Sequence, residues 1–515
     1  MARICDSVSV DHPAVVVFET GAEVGFGEME SRSLQLSRLF AERGLAAGDH
    51  IAVLLDNHAR YLEICWAARR YGLYTTPINW HLGPDEAAYI IEDCGATALV
   101  ATSRLSSTVG ALTDSLSGVG LRLALDGPLD GFEDYETALS GLSDEPIEDE
   151  RYGPVMFYSS GTTGRPKGIE SRLTDDPFDT LTSFDHLVRG VYGFRPGVVY
   201  LCPAPLYHAA PLGWSMAAQR AGGTVVVMQR FDAEAVLQAI ERHRVTHAQF
   251  VPTHFIRLLK LDPEVRASYD LSSLEKVVHA AAPCPVETKR RMLDWLGPIV
   301  YEYYSGSEGV GFCAVGPEEW LAHPGTVGRS LIGVPHITDD EGHELPTGSV
   351  GQIWFETPSR FEYHNDPEKT ASVFNDRGWA TLGDVGYLDE DGFMYLTDRV
   401  SHMIISGGVN IYPQEIEDLL VTHPGVTDVG VIGVPDPEMG ESVLAVVQPA
   451  DPDADEQALA RVLDDFCRQR LAGFKCPRHY RFAAELPRLP TGKLLKRRLR
   501  DEYGGSSAGS VVGSA

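Results

Sequence analysis

The sequence lacks long apolar runs and is poor in positive charge. No stretch of its 515 residues approaches the roughly 18 apolar residues that a membrane-spanning helix requires, and the N-terminus contains no apolar signal core. Lysine and arginine total 43 against 73 for aspartate and glutamate, which gives a formal net charge of −30. Because so negative a chain repels polyanions, we predict that it does not bind nucleic acid.

Cysteines are few and widely spaced. The eight cysteines never lie closer than nine positions apart, which argues against zinc knuckles, CxxC redox pairs and a disulfide scaffold. With 43% hydrophobic and 9% aromatic residues the composition is that of a globular protein, and the length predicts more than one domain. We therefore predict a multi-domain cytoplasmic protein without an integral membrane segment.

Short apolar segments alternate with helical patterns over the first three quarters of the chain. Strands are predicted at 51–55, 74–78, 198–202, 224–228, 247–251 and 276–280. Such alternation indicates right-handed crossovers and parallel sheets that are covered on both faces. We predict an α/β fold whose large N-terminal domain contains two doubly wound αβ subdomains.

The pattern changes after about residue 325. Proline, glycine and short strands predict a small β-rich subdomain, and the residues after 399 predict a smaller α+β domain. The predicted boundaries are 1–399 for the N-terminal domain, 400–503 for the C-terminal domain and 504–515 for a disordered tail.

The most specific motif follows a predicted strand at 155–158. It runs from Tyr158 to Gly168 and reads YSSGTTGRPKG. Glycines and small hydroxylated residues let successive backbone N–H groups point into one concavity that binds phosphate oxygens, and a lysine adds charge-assisted bonds. Pro166 and Gly168 stand where a Walker loop needs glycine and serine or threonine, so an ordinary P-loop NTPase is disfavoured.

Further segments carry groups suited to a nucleotide. Residues 303–309 read YYSGSEG, in which an aromatic ring offers a face to a purine and Glu308 offers a hard oxygen ligand to Mg²⁺. Asp384 can accept hydrogen bonds from both hydroxyls of a ribose, and Arg399 can donate to the same hydroxyls or to a phosphate. The paired glycines at 407–408 permit close approach of an extended ligand.

In their order along the chain, these motifs resemble those of the acyl-adenylate-forming superfamily. That superfamily includes acyl-CoA synthetases, firefly luciferase and the adenylation domains of nonribosomal peptide synthetases, and the resemblance covers essentially the whole chain. It implies ATP, Mg²⁺ and coenzyme A as cofactors, with Ser159 and Glu308 as metal ligands. The implied ATP-binding residues are Ser159, Ser160, Gly161, Thr162, Thr163, Gly164, Lys167, Ala281, Ala282, Pro283, Tyr303, Tyr304, Ser305, Gly306, Ser307, Asp384, Tyr395, Arg399 and Lys493.

The same resemblance assigns the C-terminal motifs. Lys493 corresponds to the family's adenylation lysine, whose ammonium would stabilise charge that develops in the transition state. Gly407, Gly408 and Val409 correspond to the segment that lines the pantetheine tunnel of CoA-forming members after the mobile C-terminal domain rotates. Ser401 stands at the family's hinge position, which is commonly aspartate or lysine.

The acid pocket is predicted from four residues. His208 follows the sequence Pro-Leu-Tyr and is predicted to act with Glu308 and Lys493 as a catalytic residue, by gating the acyl pocket or bonding the carboxylate. Trp214, Thr253 and His254 complete the predicted pocket. Amino-acid-activating relatives carry an aspartate near His208, so its absence favours a fatty, aromatic or alicyclic acid without an α-amine.

These motifs predict a carboxylic acid–CoA ligase. The acid would attack the α-phosphorus of ATP, and the CoA thiol would then displace AMP from the acyl-adenylate. Three alternatives stay open: an acyl-AMP ligase that loads a carrier protein, a luciferase-like oxygenase and a nucleotide-binding regulatory pseudoenzyme. The presence of Lys493, Glu308 and Asp384 argues against the last. The acid and any homo-oligomeric state also stay open.

Overall fold

The computed structural model describes residues 3–159, 166–357, 360–399, 402–407, 409–488 and 494–504. It confirms the predicted α/β fold with a large N-terminal domain and a smaller C-terminal one. Among the described residues, no helix is both long enough and apolar enough to cross a bilayer.

The first part of the chain forms a five-stranded sheet and the edge of a second sheet. The elements are β1 (Pro13–Val17), β2 (Glu23–Gly25), α1 (Phe26–Glu42), β3 (His50–Leu54), α2 (Tyr61–Arg70), β4 (Tyr74–Pro77), α3 (Pro84–Asp93), β5 (Ala96–Thr102), α4 (Ser106–Ala111), β6 (Leu121–Leu125), β7 (Glu133–Asp134) and α5 (Tyr135–Leu139). Five strands pair in parallel in the order β4-β3-β5-β6-β7. Every residue of β3 is buried, which explains its continuous apolar sequence.

The second part of the chain supplies seven strands of a nine-stranded sheet, as well as β8 and β9, which belong to another sheet. Its elements are β8 (Phe157–Ser159), β9 (Lys167–Ser171), α6 (Ser183–Tyr192), β10 (Val199–Cys202), α7 (Ala209–Arg220), β11 (Thr224–Val227), α8 (Ala233–His243), β12 (His247–Phe250), α9 (Pro252–Lys260), α10 (Pro263–Ala267), β13 (Lys276–His279), α11 (Val286–Leu296), β14 (Val300–Ser305), β15 (Phe312–Val315), α12 (Pro317–Ala322) and β16 (Arg329–Ile332). The strand order is β16-β15-β14-β13-β12-β10-β11-β1-β2. The six strands from β14 to β1 are parallel, and the strands at both edges are antiparallel.

Sequence-distant segments meet in this sheet. β1 pairs in parallel with β11, with Val15 opposite Val225, so the N-terminus completes the second sheet rather than the first. The periodicity of the sequence did not indicate this pairing, because parallel partners can be separated by any length of chain. The predicted strands and helices otherwise agree with the observed ones to within a few residues.

The two sheets share a helical layer and one core. Residues of α1, α2, α6 and α7 pack with the inner faces of both sheets. Trp66 on α2 donates a hydrogen bond of 2.7 Å to Gln219 on α7, and both side chains are buried. Separate cores lie under α3 and α4 on the five-stranded sheet and under α8, α9 and α11 on the nine-stranded sheet. The result is two αβ subdomains, as predicted.

A small β-rich region follows. Its elements are β17 (Val334–Thr338), β18 (Gly351–Glu356), β19 (Phe361–Tyr363), α13 (Pro367–Ser372), β20 (Asp384–Leu388) and β21 (Met394–Arg399). Four of these strands form an antiparallel sheet in the order β17-β18-β20-β21. β19 instead joins β9 and β8, so this region also holds the strands that flank the phosphate loop.

The C-terminal part has its own sheet and core. Its elements are β22 (Ile404–Ser406), β23 (Val409–Ile411), α14 (Pro413–Leu420), β24 (Val426–Asp436), β25 (Gly440–Pro449), α15 (Glu456–Arg468), β26 (His479–Phe482) and α16 (Lys496–Tyr503). The sheet order is β23-β22-β25-β24, and β26 pairs with β25. The predicted domain boundary at 399–400 coincides with the end of β21, and residues 505–515 of the predicted tail lie outside the described residues. The boundaries stay a prediction.

Candidate active site

A cavity of about 280 Å³ lies between the N-terminal and C-terminal parts of the chain. It opens at the carboxyl ends of β12, β13 and β14, which is where open α/β sheets bind ligands. Ten of the predicted site residues line it, namely Thr253, Ala281, Ala282, Pro283, Tyr303, Tyr304, Ser305, Gly306, Glu308 and Asp384. Ser307 lies in the turn between Gly306 and Glu308.

Tyr304 and Asp384 meet in this cavity. The Tyr304 hydroxyl donates a hydrogen bond of 2.6 Å to Asp384 Oδ2. Tyr304 lies near the end of β14, whereas Asp384 begins β20 and is buried. The structure therefore brings the predicted adenine-contacting motif next to the predicted ribose-binding carboxylate, 80 positions away in sequence.

Glu308 lies in the tight turn that follows β14. Its Oε1 accepts a hydrogen bond of 3.1 Å from the Tyr363 hydroxyl, which orients the carboxylate beside the cavity. A side chain at Gly306 would come within 2.7 Å of Glu308 Oε2 and of the Leu382 side chain. Glycine at position 306 thus leaves room for the carboxylate.

Ala281, which lines the cavity, has a strained backbone conformation. Ala281 has a φ of 74°, a left-handed conformation that costs a residue with a Cβ roughly 1–2 kcal/mol. Ala281 follows the carboxyl end of β13 by two residues. Such strain is concentrated at functional sites, where the surrounding structure holds it.

The phosphate loop connects two paired strands. Ser159 on β8 is opposite Lys167 on β9, and the loop residues Ser160, Gly161, Thr162, Thr163 and Gly164 lie outside the described residues. Lys167 Nζ lies 2.7 Å from Asp366 Oδ2, and this ammonium lowers the pKa of the Asp366 carboxyl. Neither Ser159 nor Lys167 lines the cavity.

Three predicted acid-pocket or nucleotide residues point elsewhere. His254 is buried, its ring stacks on Phe231 at 3.9 Å, and burial lowers its pKa to about 3. Tyr395 stacks on Tyr387 at 4.8 Å and donates to Asp389, while its neighbour Leu396 lines the cavity. His208 precedes α7, with its ring 4.4 Å from that of Tyr207. The structure does not bring these three side chains to the cavity wall, and the predicted pocket residue Trp214, which is 1% exposed, does not line the cavity either.

The C-terminal predictions fall on both described and undescribed residues. Gly407 has a φ of 58°, and a side chain there would collide with Met439. Val409 is 44% exposed, and neither residue lines the cavity. Gly408, Lys493, Ser401 at the predicted hinge position and the side chain of Arg399 lie outside the described residues.

Sequence reasoning missed the part of the wall that the C-terminal domain supplies. The residues are His402, Gln414, Glu417, Asp418, Val421, Asp428, Val429, Arg488, Leu494 and Lys496. Those at α14 belong to a helix with ordinary amphipathic spacing, whose local signal was its acidic sequence Gln-Glu-Ile-Glu-Asp. Their place in the cavity depends on how the two domains pack.

The described wall carries more negative than positive charge. Seven carboxylates line it, against one lysine and one arginine. Three of them pair with lysine or arginine: Glu302 with Lys289 at 2.6 Å, Glu417 with Lys496 at 2.9 Å and Asp428 with Arg488 at 2.5 Å. A polyphosphate would bind against this negatively charged wall only together with a cation that offsets the repulsion between the two.

The chain matches two family models. The model described as AMP-binding enzyme covers residues 4–362, and the model described as AMP-binding enzyme C-terminal domain covers residues 415–493. The chain belongs to the AMP-binding enzyme family. Membership confirms the superfamily that the motifs predicted.

Several relatives of this AMP-binding enzyme match nearly its whole length. A feruloyl-CoA synthase from Amycolatopsis sp is 35% identical, over 95% of this chain and 96% of the relative. The fatty acid–acyl-carrier-protein ligase ScoC from Streptomyces coeruleorubidus is 31% identical, over 97% and 95% respectively. The structure of the amide bond synthetase McbA from Marinactinospora thermotolerans superposes with a TM-score of 0.82 at 29% identity, over 97% and 98% of the two chains.

Proposed function

We propose that this enzyme is an AMP-forming carboxylic acid–CoA ligase. The observation that carries the proposal is the cavity between the two domains, in which the Tyr304–Asp384 pair and Glu308 converge. Ligases of this kind are among its relatives, including the feruloyl-CoA synthase. An acid and a nucleotide that are both bound in this cavity can react without first meeting in solution.

The first half-reaction forms an acyl-adenylate. A carboxylate oxygen of the acid attacks the α-phosphorus of ATP, and the bond to diphosphate breaks. In this proposal Asp384 accepts from the ribose hydroxyls, Tyr304 and the segment 281–283 bound the adenine, and Lys493 stabilises charge at the reacting phosphorus. Most of the rate enhancement comes from positioning and charge neutralisation.

Mg²⁺ fits the residues present. Carboxylates exceed cations on the described wall, and Glu308 supplies the hard oxygen ligand that this ion prefers, with the Ser159 hydroxyl as a second predicted ligand. When bound, the ion would neutralise charge on the phosphates of ATP.

The second half-reaction transfers the acyl group to sulfur. The CoA thiol attacks the acyl carbonyl, and AMP leaves with the pair of electrons from the broken bond. Gly407, Gly408 and Val409 are proposed to admit the pantetheine arm. Because Gly407 and Val409 lie away from the cavity in this arrangement, we propose that the C-terminal domain rotates between the two steps.

A Lys493→Ala variant tests the division of labour. We expect it to slow acyl-adenylate formation by at least about 100-fold, because it removes a charge from the transition state. Thioester formation from preformed acyl-adenylate should be nearly unchanged. ATP–diphosphate exchange measures the first step and CoA-thioester formation measures the second; an equal loss in both would contradict the assignment.

Loading of a carrier protein is the second candidate function. ScoC, a carrier-protein ligase, is 31% identical over nearly the whole chain. Incubation of the enzyme with ATP, an acid and either CoA or a phosphopantetheinylated carrier protein distinguishes the two. Thioester formed on the carrier alone would favour this candidate over the CoA ligase.

A further inference from the structure

Tyr303 forms the part of the cavity wall opposite Tyr304. Side chains alternate along β14, so Tyr304 faces Asp384, whereas Tyr303 faces the helical layer that contains α7. Tyr303 is 8% exposed and lines the cavity directly. If the nucleotide lies on the side of Tyr304 and the segment 281–283, as the proposed function has it, the body of the acid can lie against Tyr303.

Two hydrogen bonds hold the Tyr303 side chain. Its hydroxyl oxygen accepts from Gln249 Nε2 at 2.8 Å and from Trp214 Nε1 at 3.3 Å. Gln249 Oε1 in turn accepts from the Tyr200 hydroxyl at 3.4 Å. The direct partners of Tyr303 therefore come from β12 and α7, and Tyr200 on β10 supports Gln249.

The space behind Tyr303 is filled with aromatic rings. Trp214 is 1% exposed and lies 5.7 Å from the ring of Tyr303. It also contacts Phe184 at 5.6 Å, Tyr192 at 4.9 Å and Phe194 at 5.6 Å. A chain entering here would displace Tyr303 and leave the buried donors of Gln249 and Trp214 without their acceptor, which is costly.

We propose that Tyr303, held by Gln249 and Trp214, closes the acid pocket and restricts the enzyme to compact acids built on a ring. Long unbranched alkyl acids are excluded, because their chains have no path past Tyr303. Flat aromatic walls favour ring-containing acids through offset or edge contacts. This inference rests on the proposed ligase function and assigns Trp214 an indirect role, as the support of the wall.

The test compares ring acids with linear acids. Wild-type enzyme is incubated with ATP, Mg²⁺, CoA and either cinnamic, phenylacetic, octanoic, dodecanoic or hexadecanoic acid, and AMP release is measured. We expect kcat/KM for the ring acids to exceed that for dodecanoic and hexadecanoic acids by at least about tenfold. Comparable values for hexadecanoic acid would overturn the closed pocket while leaving the ligase function intact.

Two variants at one position sharpen the comparison. Tyr303→Ala opens the wall, and we expect the ratio of kcat/KM for dodecanoic acid to that for cinnamic acid to rise at least about tenfold. Tyr303→Phe keeps the ring and should retain the wild-type ratio. An unchanged ratio in a folded Tyr303→Ala enzyme would overturn the proposal, and the wild-type profile decides it if that variant does not fold.

Failure of the proposed function gives a different result. If no acid yields AMP although the enzyme binds ATP, ligase activity and the pocket inference are both wrong. If ring acids yield AMP and linear acids do so equally well, only the pocket inference is wrong.

Discussion

Lys289 is a buried cation whose partner reaches the cavity wall. Its side chain is fully buried on α11, and Nζ donates 2.6 Å to Glu302 Oε2 and lies 4.7 Å from the Trp320 ring. Burial raises the pKa of Glu302, although Lys289 opposes that shift. The adjacent His279 is also buried, and burial keeps its pKa well below the usual value. The positive charge of Lys289 lowers this pKa further, so the His279 ring is neutral.

Removal of one partner should leave an uncompensated charge. We expect Lys289→Met to lower the free energy of unfolding by about 3–5 kcal/mol, because Glu302 would stay buried without its cation. Urea unfolding followed by circular dichroism measures the change. The double variant with Glu302→Leu should recover much of the loss; a cost below about 1 kcal/mol for the single variant would indicate a pair no stronger than a surface one.

At the scale of elements, α14 joins the small β-rich sheet to the C-terminal domain. Pro413 begins the helix, and the Gln414 backbone N–H donates 3.2 Å to Asp398 Oδ2 on β21. Gln414 Nε2 donates 2.7 Å to Asp418 Oδ1 one turn later. A carboxylate at a helix N-terminus is favourable, so Asp398 stabilises this junction.

Asp418 should make the stability of this junction depend on pH. Burial raises its pKa to about 7, with Glu417 and Asp398 adding to the shift and Gln414 and Lys496 opposing it. Between about pH 4, where an unfolded aspartate titrates, and pH 7, the folded state binds more protons than the unfolded state. The stability that protonated Asp418 contributes to the folded state is therefore fully present below pH 4 and is lost as the pH rises through 7.

An Asp418→Asn variant measures this contribution. It cannot ionise yet keeps an oxygen for Gln414, so we expect it to be more stable than wild type at pH 8, with the difference shrinking towards pH 4. Urea unfolding across this range provides the measurement. The exposed Asp465→Asn is the matched control, and parallel pH profiles for Asp418→Asn and wild type would contradict the prediction.

At the scale of the whole molecule, the two domains also touch outside the cavity. Lys260 at the end of α9 donates 3.0 Å to the carbonyl oxygen of Thr427 in β24. Burial lowers the pKa of Lys260. The proposed rotation of the C-terminal domain would break this bond, so we expect the bond in one of the two domain arrangements.

A Lys260→Ala variant should affect the two half-reactions unequally. We expect ATP–diphosphate exchange to fall about fivefold, which is the effect of losing one hydrogen bond of roughly 1 kcal/mol. The first step should be affected because, in the domain arrangement that this bond stabilises, Leu494 and Lys496, the sequence neighbours of Lys493, line the cavity. Thioester formation from preformed acyl-adenylate should not fall. Arg195→Ala, whose partner Glu275 lies in the same domain, is the control, and equal effects on both steps would refute the assignment.

Much of the N-terminal part of the cavity wall could be predicted from local sequence. Tyr304, Glu308 and Asp384 were predicted from motifs, and all three line the cavity. His254 and Tyr395 were predicted from the family resemblance but point away from the cavity, because neighbouring residues on a helix or strand face different directions. A motif predicts which segment of the chain lies near the cavity. The direction of each side chain in that segment depends on the residues that pack around it.

The order of the motifs and the periodicity of the apolar residues by themselves determined the family, the α/β layers and the approximate positions of the central strands β3, β4, β10, β11, β12 and β13. These properties depend on interactions between residues close in sequence. Only the tertiary structure decided that β1 joins the second sheet, that Gln414 and Asp418 complete the cavity, and that Gln249 and Trp214 hold Tyr303. Those pairings join residues that are far apart in sequence, and their energy comes from packing that forms only when the whole domain folds.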